Sequence, residues 1–267
     1  MSNVLEKIVT TKQAEVAAAV ARRPLATVQR EAETAPPVRD FLAALKSHHP
    51  MGLIAEVKRA SPSAGLIRED FSPVEIARSY AASGAACISV LTDEPYFQGR
   101  LEYLEQIRQE VSIPLLRKDF IIAPYQVYEA RAAGADCILL IAECLNDAQL
   151  TELYSLAGQL GMHALVELYE PENLPRVMRL NPPFLGINNR DLRSFTTRLE
   201  HTIDLRAEIP SDVLVVGESG IHTREHVLQL QSAGVHAILV GESLMRADDI
   251  ESRVREILGL DAAKPGC

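Results

Sequence analysis

The chain has no tryptophan, and only 5% of its 267 residues are aromatic. Its core must therefore be built mainly from aliphatic side chains. No apolar run approaches the roughly 18–20 residues that cross a bilayer, so no membrane partner is expected. Positive charge is in the minority: 27 Lys and Arg against 36 Asp and Glu leave a net charge of -9. That balance argues against a general nucleic-acid partner, although an acidic chain can still hold one small phosphate at a locally positive site. The four cysteines, Cys87, Cys137, Cys144 and Cys267, form no close CxxC pair. Cys87 and Cys137 lie inside apolar runs, so buried reduced thiols are expected rather than disulfides or zinc. There is no GxxxxGK[ST] loop for a nucleoside triphosphate, no HExxH and no evident metal cluster. Residues 1–21 carry Glu6, Lys7, Lys12 and Glu15 where a secretory leader would be apolar, which predicts a cytosolic protein.

Apolar residues, by contrast, make up 47% of the chain, and its length suits one barrel-sized domain. After residue 50 short apolar runs alternate with amphipathic stretches. The runs are Gly52–Val57, Ala86–Leu91, Pro114–Leu116, Cys137–Ile141, His163–Val166, Phe184–Ile187, Val213–Val216 and Ala237–Val240. They are too short for ordinary helices and largely lack alternation, so they read as strands buried on both faces. Helical patterns separate them at Pro73–Ser83, Leu101–Glu110, Tyr125–Ala133, Ala148–Leu160, Pro171–Leu180, Ile203–Glu208, Arg224–Ala233 and Asp249–Leu258. Ser72-Pro73 reads as an N-cap followed by a first-turn proline, and Gly84, Gly134 and Gly234 stand where helices should end. This α/β alternation predicts a parallel sheet, closed into a (β/α)8 TIM barrel at this length, although periodicity alone also fits an open doubly wound sheet. Residues 51–258 are assigned to the barrel and 259–267 to a short tail. Residues 1–50 form an extension with helical spacing at Leu5–Ala21 and Val38–Leu45, within a single domain. That extension is expected to lie across the barrel mouth.

In a parallel barrel, chemistry gathers at the C-terminal ends of the strands. Reading those ends in order gives Glu56 with Lys58, Lys118, Glu167, Asn188 with Arg190, Glu218 with Ser219, and Gly241 with Glu242. Glu56 and Lys58 are two apart, so their side chains share a direction. An acid and a base would then meet Lys118 and Glu167 in one mouth. Charges removed from water are costly unless paired, so such a cluster points to function. Neighbouring lysines are expected to depress each other's pKa. Any single member taken alone reads first as a solvated loop charge or a core ion pair, and Arg59, Arg117, Asp119 and Asp191 are the candidates for that plain role; it is the constellation that points to function. Gly217-Glu218-Ser219-Gly220 and Gly241-Glu242-Ser243 follow the seventh and eighth runs. Glycines there let backbone N–H groups approach an anion, at the common phosphate position of this fold.

These segments together resemble the indole-3-glycerol phosphate synthase family. The resemblance is carried by Ala55-Glu56-Val57-Lys58-Arg59-Ala60-Ser61-Pro62-Ser63, Leu116-Arg117-Lys118-Asp119-Phe120, Val166-Glu167, Gly186-Ile187-Asn188-Asn189-Arg190-Asp191-Leu192, Gly217-Glu218-Ser219-Gly220-Ile221 and Val240-Gly241-Glu242-Ser243. It implies a small phosphorylated anthranilate adduct as substrate, with no cofactor and no metal; a monomer is expected. It implies Lys118 as general acid in ring closure, Glu167 and Lys58 as acid and base in dehydration, and Glu56 and Asn188 as their orienting partners. Ser61, Arg190, Glu218 and Ser219 match substrate-binding positions, and Phe97, Phe120, Leu139 and Leu192 match the apolar pocket. Lys58, Gly220, Gly241 and Glu242 match the phosphate site. Two departures stand out: Leu168-Tyr169 follows Glu167 where many relatives have valine and histidine, and Glu242 puts a carboxylate beside the phosphate position. The residues by themselves also fit a phosphoribosylanthranilate isomerase-like barrel, a Schiff-base aldolase using Lys118, or a non-catalytic sugar-phosphate binder.

Overall fold

The computed structural model of the chain describes residues 4–191 and 196–260. Eight parallel strands close into a barrel: β1 Gly52–Val57, β2 Cys87–Leu91, β3 Leu115–Lys118, β4 Cys137–Ile141, β5 His163–Leu168, β6 Phe184–Asn188, β7 Leu214–Glu218 and β8 Ala237–Val240. Each pairs with its sequence neighbours, and β1 pairs with β8 (Gly52 opposite Ala237) to complete the ring. The expected TIM barrel is thus the observed one. Alternation assigns the two faces. Leu53, Ala55 and Val57, with Ile88 and Val90, pack outward under the helices. Ile54, Cys87, Leu116, Cys137, Leu139, Leu165, Phe184, Val216 and Leu239 fill the interior.

The same parity carries past the apolar runs. β3, β5, β6 and β7 each extend beyond the predicted end, to Lys118, Leu168, Asn188 and Glu218. Lys118, Glu167, Asn188 and Glu218 are therefore strand residues, in phase with the interior positions Leu116, Leu165, Phe184 and Val216.

The extension holds three helices where two were expected: α1 Val4–Arg22, α2 Leu25–Thr34 and α3 Phe41–Ser47. Pro24 precedes α2 at its N-cap, where proline does not interrupt hydrogen bonding. Val28 and Ala32, four residues apart, are the buried residues of α2, which packs against α7 (Pro124–Ala132). Only part of the extension meets the expectation of a cover over the mouth. α1 lies there, but α3 plugs the opposite end: the Phe41 ring stacks on Phe184 with centroids 6.1 Å apart. The remaining helices are α4 Pro73–Ala82, α5 Glu94–Phe97, α6 Leu101–Glu110, α8 Asp147–Gln159, α9 Leu174–Met178, α10 Glu200–Arg206, α11 Arg224–Ser232, α12 Glu242–Met245 and α13 Ile250–Leu258. Ser72 does occupy the N-cap of α4, but its side chain makes no capping bond. Gly84, Gly134 and Gly234 all adopt left-handed φ, as their helix-ending positions require. The predicted helix Pro171–Leu180 is instead a 3-10 turn, Pro171–Asn173, followed by the short α9.

Candidate active site

An open cleft of about 1140 Å³ occupies the C-terminal end of the barrel. Every candidate residue of the sequence reading lines it (Glu56, Lys58, Ser61, Phe97, Lys118, Phe120, Leu139, Glu167, Asn188, Arg190, Glu218, Ser219, Gly220, Gly241 and Glu242), except Leu192, which lies outside the described residues.

The floor of the cleft is a charged cluster. Lys118 Nζ lies 2.6 Å from Glu167 Oε2 and 2.6 Å from Glu218 Oε2. Asn188 Nδ2 donates to Glu167 Oε1 at 3.0 Å, which fixes that carboxylate from its other side. Across the barrel, Lys58 Nζ sits 2.5 Å from Glu56 Oε1, as their two-residue spacing predicts. The expected lowering of the lysine pKa is not found at Lys118. Burial alone would lower it, but the charges of Glu167, Glu218 and Glu56 outweigh burial and hold the ammonium well above its usual range. The correction is physical: the nearest neighbours of Lys118 are carboxylates, not the other lysine.

The two carboxylates diverge. Burial would raise Glu167, but the Lys118 charge and hydrogen bonds from its neighbours bring it below the usual range. Glu218 is pushed up to about 8, first by burial and then by the charge of Glu167, against the pull of Lys118. Its Oε1 is buried with no hydrogen-bond partner among the described residues. Near neutral pH the cluster therefore consists of an ammonium, one carboxylate and one carboxylic acid. Glu218 is expected among the binding residues; its contact with Lys118 arises from strands four apart around the ring and has no local signal.

The rim is polar. Arg190 is braced by Thr197 (Nε to Oγ1, 3.2 Å) and approaches Glu242 Oε2 at 3.8 Å. Ser61 Oγ accepts from the N–H of Ala64 at 3.2 Å, closing a tight turn over the cleft. Ser219 and Gly220 are both left-handed, and a Cβ on Gly220 would sit 2.5 Å from Thr197 Cγ2. Gly241 is required for a different reason: a Cβ there would lie 2.3 Å from Glu56 Oε1 and 3.1 Å from Lys58 Nζ. Glu242 opens the single-turn α12 and turns its carboxylate to Arg246 Nε at 3.0 Å. Burial would raise its pKa, but Arg246, Lys58 and Arg190 hold it low, so its charge is already balanced by cations.

One wall is apolar, with Phe97 and Phe120 at a centroid distance of 6.1 Å. The roof comes from Val4, Leu5 and Ile8 of α1. These residues are not among those expected at the site, although their helical spacing onto one face is legible in the sequence. Arg117 and Asp119 take the structural role expected of them: Arg117 Nη2 pairs with Asp119 Oδ2 at 3.1 Å and with Glu129 Oε2 at 2.9 Å. Arg59 makes no ion pair among the described residues, and its buried Nε has no hydrogen-bond partner among them.

Known proteins with similar sequences and folds bear on this arrangement. The barrel resembles 3-hexulose-6-phosphate synthase, with a TM-score of 0.60 at 15% identity over 78% of this chain and 99% of that one. It also resembles a thiamine phosphate pyrophosphorylase from Pyrococcus furiosus, at 0.58 and 17% over 79% and 95%. At those identities the likeness concerns the fold alone. Sequence relatives are far closer. The indole-3-glycerol phosphate synthase of Rhodopirellula baltica is 54% identical over 255 residues, covering 96% of this chain and 98% of the relative. That of a Polaromonas species is 49% identical over 264 residues, covering 98% and 100%. The family model for indole-3-glycerol phosphate synthase matches residues 5–257. On this evidence the chain belongs to the indole-3-glycerol phosphate synthase family.

Proposed function

We propose that this chain converts 1-(2-carboxyphenylamino)-1-deoxyribulose 5-phosphate into indole-3-glycerol phosphate, carbon dioxide and water, a step of tryptophan biosynthesis. The observation that carries the reading is the Lys118 ammonium held between Glu167 and Glu218, facing a Lys58–Glu56 pair across one cleft. The overall change is redox-neutral and can be written with acids and bases alone.

Ring closure puts negative charge on the former ketone oxygen. Lys118, fully charged at any working pH, would meet that charge and pass its proton to the stronger alkoxide base. Loss of carbon dioxide from the closed adduct follows, and dehydration then needs a proton at the departing hydroxyl and a base at the ring. Glu167 and Lys58 are our assignment for those transfers, with Glu56 and Asn188 orienting them. We assign Glu218 to holding Lys118 as well as to the substrate. Arg190, Ser61 and Ser219 would receive the anthranilate carboxylate, Phe97, Phe120 and Leu139 its ring, and Lys58 with the backbones of Gly220, Gly241 and Glu242 the phosphate. We take the enzyme to act as a monomer, and we place it in the cytoplasm.

Mixing the purified chain with the adduct should generate indole absorbance and fluorescence. With no tryptophan in the chain, the fluorescence background is low. Failure to generate the indole signal under conditions where the chain is folded would overturn the reading.

A further inference from the structure

The stripe that α1 turns toward the barrel is Leu5, Ile8 and Lys12, its buried residues. The third member is a lysine only 4% exposed. Its ammonium lies 2.9 Å from Asp93 Oδ2, 2.9 Å from Asp119 Oδ1 and 2.7 Å from Glu15 Oε2. Burying an ammonium is unfavourable unless carboxylates surround it, and removing it would strand those carboxylates. Asp93 and Asp119 sit on two separate loops of the mouth. Asp93 Oδ1 caps α5 by accepting from the N–H of Tyr96 at 2.9 Å, and α5 ends at Phe97. Asp119 Oδ1 accepts from the N–H of Phe120 at 2.8 Å and directly follows Lys118. One ammonium thus ties the roof helix to both loops that carry the aromatic wall. A nearby contact runs the same way: Thr11 Oγ1 meets the Tyr96 hydroxyl at 2.8 Å.

We propose that Lys12 is a positioning residue for the reaction, an ammonium latch that docks α1 as the roof of the cleft and braces the Phe97–Phe120 wall. Its action on turnover rests on the activity proposed above. Its action on α1 does not, and can be read without substrate.

The test uses the full chain with Lys12→Met and Lys12→Arg. Lys12→Met should raise KM for the adduct about 10-fold or more, with a smaller fall in kcat, because the displaced groups bind and shape the ring site. Affinity for inorganic phosphate should stay within about twofold of parental, because the phosphate loops lie outside the latch and the change acts by positioning at a distance. Amide exchange across residues 4–12 should speed by about 10-fold as α1 undocks locally. Lys12→Arg should recover much of the KM. If Lys12→Met does not fold, Asp93→Asn removes one charge of the latch while keeping an oxygen for the Tyr96 N–H, and the same shifts are expected, smaller. Unchanged α1 exchange, or a KM within about twofold of parental in the folded variants, overturns the latch. A parental chain that makes no indole overturns the proposed activity instead, and the exchange result still decides whether Lys12 docks the helix.

Discussion

Two buried carboxylates at opposite ends of the barrel are treated in opposite ways. Asp136, before β4 at the floor, is fully enclosed and accepts from Arg108 Nη1 (2.8 and 2.7 Å), the N–H of Leu115 (2.8 Å) and the N–H of Arg39 (2.6 Å). Glu218, at the mouth, is equally buried but has one oxygen on Lys118 and the other without a partner among the described residues. A carboxylate with all its lone pairs engaged has little left to do but hold structure; one left short is a group with capacity to react. The floor uses its charge to pin the extension: Asp136 and Arg108 fasten residues 37–39, and Phe41 then plugs the barrel. At the mouth, charge stays exchangeable under a helix that a buried lysine ties to two loops.

Changes at the two ends should therefore separate rate from stability. The largest effect is expected from Lys118→Met. Losing a positioned acid commonly costs roughly 10²–10⁴-fold in rate, and this variant should fall at the upper end. The fold should survive, because Glu167 and Glu218 can share a proton once the ammonium is gone. Single-turnover measurement of carbon dioxide release checks the step; release at near the parental rate would exclude Lys118 as the closure acid. At the floor, Asp136→Ala should do the reverse. It leaves the Arg108 guanidinium buried without its partner, a defect that typically costs about 3–5 kcal/mol. Chemical denaturation should record that loss, while kcat of the folded fraction stays near parental. A large fall in kcat would show that the two ends are coupled.

The sequence made the inward face of the mouth legible because two rules agree there: a period of two along each strand, and chemistry at C-terminal strand ends. Glu56 with Lys58 is the clearest case, since their pairing follows from spacing alone. What stayed hidden was hidden for physical reasons. Apolar runs stop where a polar inward residue begins, so β3, β5, β6 and β7 looked too short at their functional ends. A lysine in a helix ordinarily belongs to solvent, so Lys12 carried no sign of burial. The pKa shift of Glu218 depends first on burial and then on Glu167, 51 positions away by residue number, and no local pattern encodes either.

A smaller effect is expected at the edge of the mouth. Gly241→Val forces a Cβ into the space of Glu56 Oε1 and Lys58 Nζ. Backbone access to the phosphate and the Lys58–Glu56 pair should both suffer, weakening adduct and inorganic phosphate by about 10-fold or more, since a side chain obstructs the close approach glycine allows. Equilibrium binding of inorganic phosphate checks this without turnover. Parental affinity would remove Gly241 from the phosphate site. Thermal stability should move less than for Asp136→Ala, because the displaced groups can relax into the open cleft.

The smallest change in rate, and the sharpest test of the unsatisfied carboxylate, is expected from Glu218→Gln. Below about pH 8 Glu218 keeps its proton, so a neutral amide of the same shape imitates its working form, and kcat/KM near pH 7 should change only a few-fold. The difference lies in the pH profile. As pH rises through about 8 in the parent, Glu218 ionises, adding a negative charge 2.6 Å from the Lys118 ammonium. That raises the Lys118 pKa further and makes it a poorer proton donor, so kcat/KM should fall on the alkaline side. In Glu218→Gln nothing ionises there, and the alkaline limb should disappear or move to higher pH. The profile of kcat/KM reports groups of the free enzyme, so it is the quantity to measure from pH 6 to 10. An alkaline limb unchanged by the substitution would assign that ionisation elsewhere and leave Glu218, like Asp136, with a structural part alone.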